Sequence, residues 1–394
     1  MSALALHASG TAPVGFDELM RNVRALAPQL AARGEEIEQV RRLPADVVEQ
    51  LRAAGVFRAA FPQAQGGPGL TSMQQIELVE ELAAADAAVG WCAMIGMDSG
   101  IYAGYLPPTG AQRLYPHPDL VTAGWVAPVG RALEVEGGYL VDGHWRFGSG
   151  CTHADVIAGG CTVHRDGAPL RDTEGRPVVR MVLAPAACFE VEDTWHTTGL
   201  AGTGSCDYRA KGLFVPADQT FSFEQPWRDE PLYRRCDAIV RKMPGVPLGV
   251  ARTAIDFTLA LAEHREDGPG QPWRSSARVQ TVLAECVMRR AAARAAVYAS
   301  VEALWRRMEA GQEPTPRERA EAALARYDAF RTARRIVAEL YDLVGTQATF
   351  RARTPLERAL RDLTTACQHV VGQHRVLEWS GQLLLGGETD AAFV

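Results

Sequence analysis

ALEVEGGYLVDGHWRF, residues 132–147, alternates apolar and polar side chains on either side of Gly137-Gly138. A period of two interrupted by a glycine turn is the mark of strands rather than helix. The same character, rich in β-branched residues and glycine turns, extends over residues 121–223. VVRMVLAP (178–185) and GLFVP (212–216) read as further strands, the second stopped at Pro216, whose nitrogen has no hydrogen to give a ladder.

On both sides of this block the rhythm is helical. From Phe16 to Leu106, apolar residues recur every three and four positions through FDELMRNVRALAPQLAARGEEIEQV, PADVVEQLRAAG and TSMQQIELVEELAAADAAVGWCAMIGMDSGIYAGYL. Thr71 or Ser72 is placed to cap the last of these, after the Pro/Gly-rich stretch 61–69. Beyond Cys236 the helical period returns. Val279, Val282, Leu283, Cys286 and Val287 form one stripe, and Leu324, Tyr327, Phe330, Val337, Leu340, Tyr341 and Val344 form another. Breaks at 267–272, 311–316 and 345–355 divide this part into about four helices, as in an antiparallel bundle. The chain thus divides into a flexible N-terminus (1–15), a helical domain (16–120), a β domain (121–230) and a helical bundle (231–394). This is an α+β order, unlike the strand–helix alternation of α/β enzymes.

Composition excludes several classes. A net charge of −6 and the lack of Lys/Arg clusters interleaved with aromatics argue against nucleic acid as a partner. No window reaches the roughly 18 consecutive apolar residues of a membrane span, and MSALALHASGTAPVG lacks the basic start of a signal peptide, so no membrane association and a cytoplasmic location are expected. The eight cysteines stand far apart without a C-x-x-C pair, and no histidines have zinc-site spacing, so reduced thiols and no metal centre are expected.

Five segments then fall into one pattern: FPQAQGGPGLTSMQQIELVEELAAADAAVGW (61–91), WRFGSG (145–150), GLAGTGSCDYRAKGLFVP (199–216), PGVPLGVARTAIDF (244–257) and RDLTTACQHVVGQHRVLEWSGQLLLGG (361–387). Together they resemble the acyl-CoA dehydrogenase superfamily, and more closely its branch of oxygenase components of two-component flavin-dependent monooxygenases. The similarity runs over residues 16–390. It implies an N-terminal α-helical domain, a middle β-barrel or sandwich and a C-terminal four-helix bundle, assembled as a homotetramer. It also implies a reaction. Reduced flavin (FMNH2 or FADH2), made by a separate NAD(P)H-dependent reductase, captures O2 as a C4a-hydroperoxyflavin and passes one oxygen atom to a small aromatic or amine-containing substrate.

The resemblance also implies roles for particular residues. The strand carrying WRFGSG lies against the flavin ring, with Phe147 and Gly148 beside it and Ser149 within reach of N5. A serine oxygen accepting the N5 hydrogen in a water-poor pocket would slow peroxide loss. Trp125 and Ala127 match the early β segment along the flavin, and Ser205 sits in a tight turn with Gly202 and Gly204 that lines the pocket. Arg265 stands where relatives hold the FAD pyrophosphate, and Gly345-Thr346-Gln347 where dehydrogenases touch the adenylate half on a neighbouring subunit. Both matches are partial, which leaves FMN or FAD open. His369, in a Gln-His pattern shared with oxygenase members, would serve as acid or base, because an imidazole titrates near neutrality. Trp91, Asp98 and Ser99 lie on the helix that contacts substrate, and many relatives carry a His at the place of Ser99. Plainer readings exist for each: Phe147 and Trp125 as strand core, Ser149 as a turn residue, His369 as a helix residue with a local partner.

Two other functions compete. A dehydrogenase needs a Glu to remove the substrate α-proton, yet the position eight residues after Asp362 is Val370, and the alternative location is Ile239-Val240. A catalytically silent scaffold would have no reason to keep Ser149 and His369.

Overall fold

A computed structural model describes residues 15–351 and 353–394. The N-terminus expected to be flexible lies outside the described residues, Gly15 excepted. Helices come first: α1 (Phe16–Ala32), α2 (Gly34–Val40), α3 (Ala45–Ala53), α4 (Ser72–Ala85), α5 (Ala87–Gly96), α6 (Asp98–Tyr105) and α7 (Pro108–Leu114). Thr71 caps α4 through a capping box: its hydroxyl accepts from the Gln74 amide, and the Gln74 side chain accepts from the Thr71 amide. The long helical pattern 71–106 is not one helix. Asp86 takes an extended backbone and accepts from the Ala88 and Val89 amides, ending α4 and starting α5, and Met97 separates α5 from α6.

The expected barrel or sandwich takes the form of one mixed eight-stranded sheet. Its strands are β1 (Thr122–Val135), β2 (Gly138–Gly148), β3 (Val156–Arg165), β4 (Ala168–Pro169), β5 (Val179–Pro185), β6 (Glu190–Glu192), β7 (Cys206–Pro216) and β8 (Thr220–Phe221). They run in the order β6-β7-β2-β1-β3-β5-β8, with β4 paired to β3. The strands β1 and β2 form the antiparallel hairpin announced by Gly137-Gly138, with Val135 opposite Gly138 and Gly137 at φ +77°. One face buries Trp145, stacked on Tyr208 at 5.5 Å. Glycine at 130, 143 and 159 makes room for that indole, since a Cβ at any of them would lie within 2.6 Å of its ring.

The C-terminal part comprises α8 (Ala238–Arg241), α9 (Gly245–His264), a small hairpin of β9 (Glu266–Gly268) and β10 (Gln271–Pro272), then α10 (Ala277–Glu309), α11 (Pro316–Val344), α12 (Leu356–Ala366) and α13 (Arg375–Leu384). The shorter α12 and α13 close against α11. Helix α9 also packs on α4, where Gly245 and Gly249 permit close approach: a Cβ at Gly249 would stand 2.3 Å from the Glu80 carbonyl. The buried Glu80 carboxylate takes Arg290 and Arg294 of α10, joining the two helical parts electrostatically. Ala238–His264 is long and apolar enough to cross a membrane by length and composition, but most of it is buried among these helices, as a core helix would be. All eight cysteines are free thiols, six of them buried.

Candidate active site

A bulge at the end of β2 builds the first half of the site. Pairing with β7 slips between Trp145 and Gly148. There Phe147 adopts φ +58°, a left-handed backbone that costs a residue with a Cβ about 1 kcal/mol or more. The turn pushes the Phe147 ring outward, 50% exposed, while Ser149 faces inward, 8% exposed. The Trp91 indole N–H of α5 donates to Ser149 Oγ at 3.0 Å. Ser149 Oγ is 2.7 Å from Ser205 Oγ, which is 2.7 Å from Thr203 Oγ1, and Thr203 donates to the Leu200 carbonyl at 2.7 Å. The Trp91 ring also meets His369, with ring centroids 5.6 Å apart and planes at 74°. Ser149 and His369, 220 positions apart in the chain, therefore touch one and the same indole.

Around Phe147 stands an aromatic wall. Trp125 is 5.3 Å away and Trp195 meets the ring edge-on at 6.2 Å. Ala127 lies in the bulge of β1 between Trp125 and Gly130. Gly148 is required by packing, because a Cβ there would lie 2.8 Å from the Tyr208 ring. Leu200, at φ +50°, is the anchor of this wall: its carbonyl also accepts the Trp195 indole N–H at 2.9 Å, and its amide donates to Asp362 at 2.6 Å. Burial, and then the neighbouring Asp86, push the Asp362 carboxyl up to about 7. The turn expected around Gly202, Gly204 and Ser205 is a short 3-10 turn, Ala201–Thr203, followed by Gly204 at φ +51°. Trp195, Thr203 and Leu200 were not singled out by sequence reasoning; they lie in an aperiodic loop whose partners are distant in the chain.

His369 departs from one expectation. Burial, and then the Arg326 guanidinium, push its imidazole down to about 4, so it is neutral at neutral pH rather than half-titrated. Its Nδ1 accepts a long hydrogen bond from the Val371 amide at 3.4 Å, which leaves the ring hydrogen on Nε2. Asp98 and Ser99 also have partners of their own. Asp98 forms a buried ion pair with Lys242, one of only two lysines in the chain. Burial raises the Asp98 carboxyl to about 6 despite that cation. Ser99 Oγ bonds the Leu120 carbonyl at 2.6 Å and Thr122 Oγ1 at 2.9 Å. Among the described residues no hydrogen bond or ring contact joins Asp98 or Ser99 to Trp91, Ser149 or His369.

A second group gathers elsewhere. Arg265, Gly345, Thr346 and Gln347 line one open cleft of about 330 Å³ with Trp273 and Asp342. The Arg265 guanidinium stacks 4.2 Å from the Trp273 ring centre and donates to the Val344 carbonyl at 3.0 Å. Nothing among the described residues connects this cleft directly to Ser149.

The first group fits a flavin ring. Phe147 offers an exposed apolar face beside two tryptophans, and next to it a hydroxyl held as an acceptor by Trp91. The position of the dehydrogenase base is Val370, an aliphatic side chain without a proton to exchange.

Comparison with known proteins identifies the family. Residues 17–114 match the family described as "Acyl-CoA dehydrogenase, N-terminal domain" and residues 244–374 match "Acyl-CoA dehydrogenase, C-terminal domain". The chain is 30% identical to an indole-3-acetate monooxygenase of Acinetobacter baumannii, over 95% of this chain and 94% of that protein. It is 32% identical to the oxygenase component of an FADH2-dependent resorcinol hydroxylase of a Rhizobium species, over 52% of this chain and 49% of that one. The crystal structure of 3-HSA hydroxylase from Rhodococcus sp. RHA1 superposes with a TM-score of 0.87 at 25% identity, covering 96% of this chain and 99% of that one. The chain belongs to the acyl-CoA dehydrogenase family, in the branch made up of oxygenase components of flavin-dependent monooxygenases.

Proposed function

We propose that this protein is the oxygenase component of a two-component monooxygenase that uses reduced flavin and O2 to hydroxylate a small aromatic substrate, with Ser149 and His369 as its catalytic residues. The observation that carries this reading is the single indole of Trp91, which bonds Ser149 through its N–H and packs against the His369 ring. When bound, reduced flavin activates O2 and supplies one oxygen atom, the second leaving as water.

This chain's residues supply holding, orientation and dryness. Phe147, Trp125, Trp195 and the backbone at Ala127 and Gly148 would form the wall for the ring, and Ser149 Oγ would accept a hydrogen bond from reduced flavin. The neutral His369, its Nδ1 occupied by the Val371 amide, would present Nε2–H as a hydrogen-bond donor to the substrate's polar atom. Trp91, itself buried, shields the Ser149 hydroxyl from water. Arg265 with Gly345-Thr346-Gln347 would hold the phosphate and nucleotide half of a flavin bound to an adjacent copy, in a cytoplasmic homotetramer served by a separate NAD(P)H-dependent flavin reductase. The similarity to an indole-3-acetate monooxygenase supports an indole-sized, carboxylated aromatic as first candidate substrate.

The test is anaerobic mixing of the protein with photoreduced FAD or FMN, then with oxygenated buffer containing indole-3-acetate and a panel of phenols and indoles. A hydroxylated product formed in step with O2 consumption is expected. Re-oxidation at the rate of free flavin, with all oxygen recovered as H2O2 and no product, would refute the proposal.

A further inference from the structure

The hydroxyl ladder behind Ser149 has a determined polarity. It contains three oxygen–oxygen contacts of 2.7 Å: Ser149 to Ser205, Ser205 to Thr203, and Thr203 to the Leu200 carbonyl. Two oxygens at that distance repel unless a proton lies between them. Three hydroxyl protons are available, one per side chain, and the carbonyl has none. Only one arrangement puts a proton on every contact: Thr203 donates to Leu200, Ser205 donates to Thr203, and Ser149 donates to Ser205. The Ser149 proton is thereby turned away from the ring side. Of its two lone pairs, one takes the Trp91 N–H, a group that can only donate, and the other is left open.

We infer that Thr203 and Ser205 are positioning residues that fix Ser149 as a pure hydrogen-bond acceptor, so that the site selects flavin carrying a hydrogen on N5 over oxidised flavin. This rests on the proposed function, in which N5 meets Ser149. Oxidised flavin has a bare N5 that needs a donor; facing Ser149 it would meet lone pair against lone pair. Reduced flavin has N5–H and completes the ladder. The consequence is directional exchange: the site loads reduced flavin and releases it once oxidised, which suits a cosubstrate shared with a reductase. Burial keeps the ladder from borrowing protons from water, since Thr203 and Ser205 are almost fully enclosed.

The test measures binding, without turnover. Dissociation constants of oxidised and photoreduced FAD, and in parallel FMN, are determined anaerobically for wild type, Thr203→Val, Ser205→Ala and Thr203→Ser. Valine is close to isosteric but cannot accept from Ser205, which is then free to donate back to Ser149. The preference for reduced over oxidised flavin should fall about tenfold in Thr203→Val, the worth of about one hydrogen bond. Ser205→Ala removes the acceptor of the Ser149 proton and should fall similarly, providing a second reading if Thr203→Val does not fold. Thr203→Ser restores the ladder and should restore the preference. An unchanged ratio in the variants, with wild type binding reduced flavin, overturns the ladder argument alone. Wild type that binds no reduced flavin overturns the proposed site and the ladder with it.

Discussion

Replacing Asp362 by asparagine removes a buried carboxyl without removing the acceptor that the Leu200 amide uses. In the folded protein this group sits at about 7, against an ordinary 3.8, because burial and the charge of Asp86 oppose its ionisation more than the Leu200 amide and Arg358 favour it. The native state therefore binds this proton more tightly than the unfolded chain does. Stability from the protonated form is fully present below the ordinary value, and is lost as pH rises through about 7. At about 1.4 kcal/mol per pH unit, the wild type loses about 2–3 kcal/mol from this group between about pH 5 and about pH 8. Asparagine carries no such titration, so the stability of Asp362→Asn relative to wild type should grow by that amount over the same range. Urea unfolding followed by tryptophan fluorescence, at one protein concentration and several pH values, measures the difference while other titrating groups cancel. A difference that stays constant to within about 0.5 kcal/mol would show that Asp362 is ionised in the fold, and would refute the reasoning that burial outweighs the groups favouring its charge.

Three further outcomes follow from the same structure. Trp91→Phe keeps a ring against His369 but deletes the N–H on Ser149; it should cost about 1 kcal/mol in stability and raise the H2O2 released per substrate consumed, both read directly. Lys242→Met strands the Asp98 carboxylate in the interior and should lower stability by about 3–5 kcal/mol, whereas the double variant Asp98→Asn, Lys242→Met should recover most of it in thermal unfolding. Arg265→Ala should weaken binding of reduced FAD at least about tenfold while leaving reduced FMN nearly unchanged if its cleft takes the nucleotide half, as titration calorimetry under nitrogen would register.

Much of the architecture was legible in local patterns. The hairpin at Gly137-Gly138, the start of α4 at Thr71 and the end of β7 at Pro216 are each written in a few neighbouring residues, since turns, caps and strand stops are decided by the local backbone. The division of 71–106 into three helices was missed because Asp86 is compatible with a helix until its carboxylate claims two amides. Ser149 and His369 became candidates through motifs, whereas the cation that pairs with Asp98 left no local signal.

The sequence alone determined the order of helices, strands and helices, the turn at Gly137-Gly138 and the candidate residues, because periodicity and turn chemistry act over a few positions. Tertiary structure decided which candidates act together. Trp91 finds Ser149 across 58 positions, Lys242 finds Asp98 across 144, and Asp362 finds Leu200 across 162. No local rule selects such partners. They are set when burial brings polar groups into a dry interior, where each must be matched or pay the cost of desolvation. The same condition turned His369 neutral and fixed the direction of the ladder beneath Ser149.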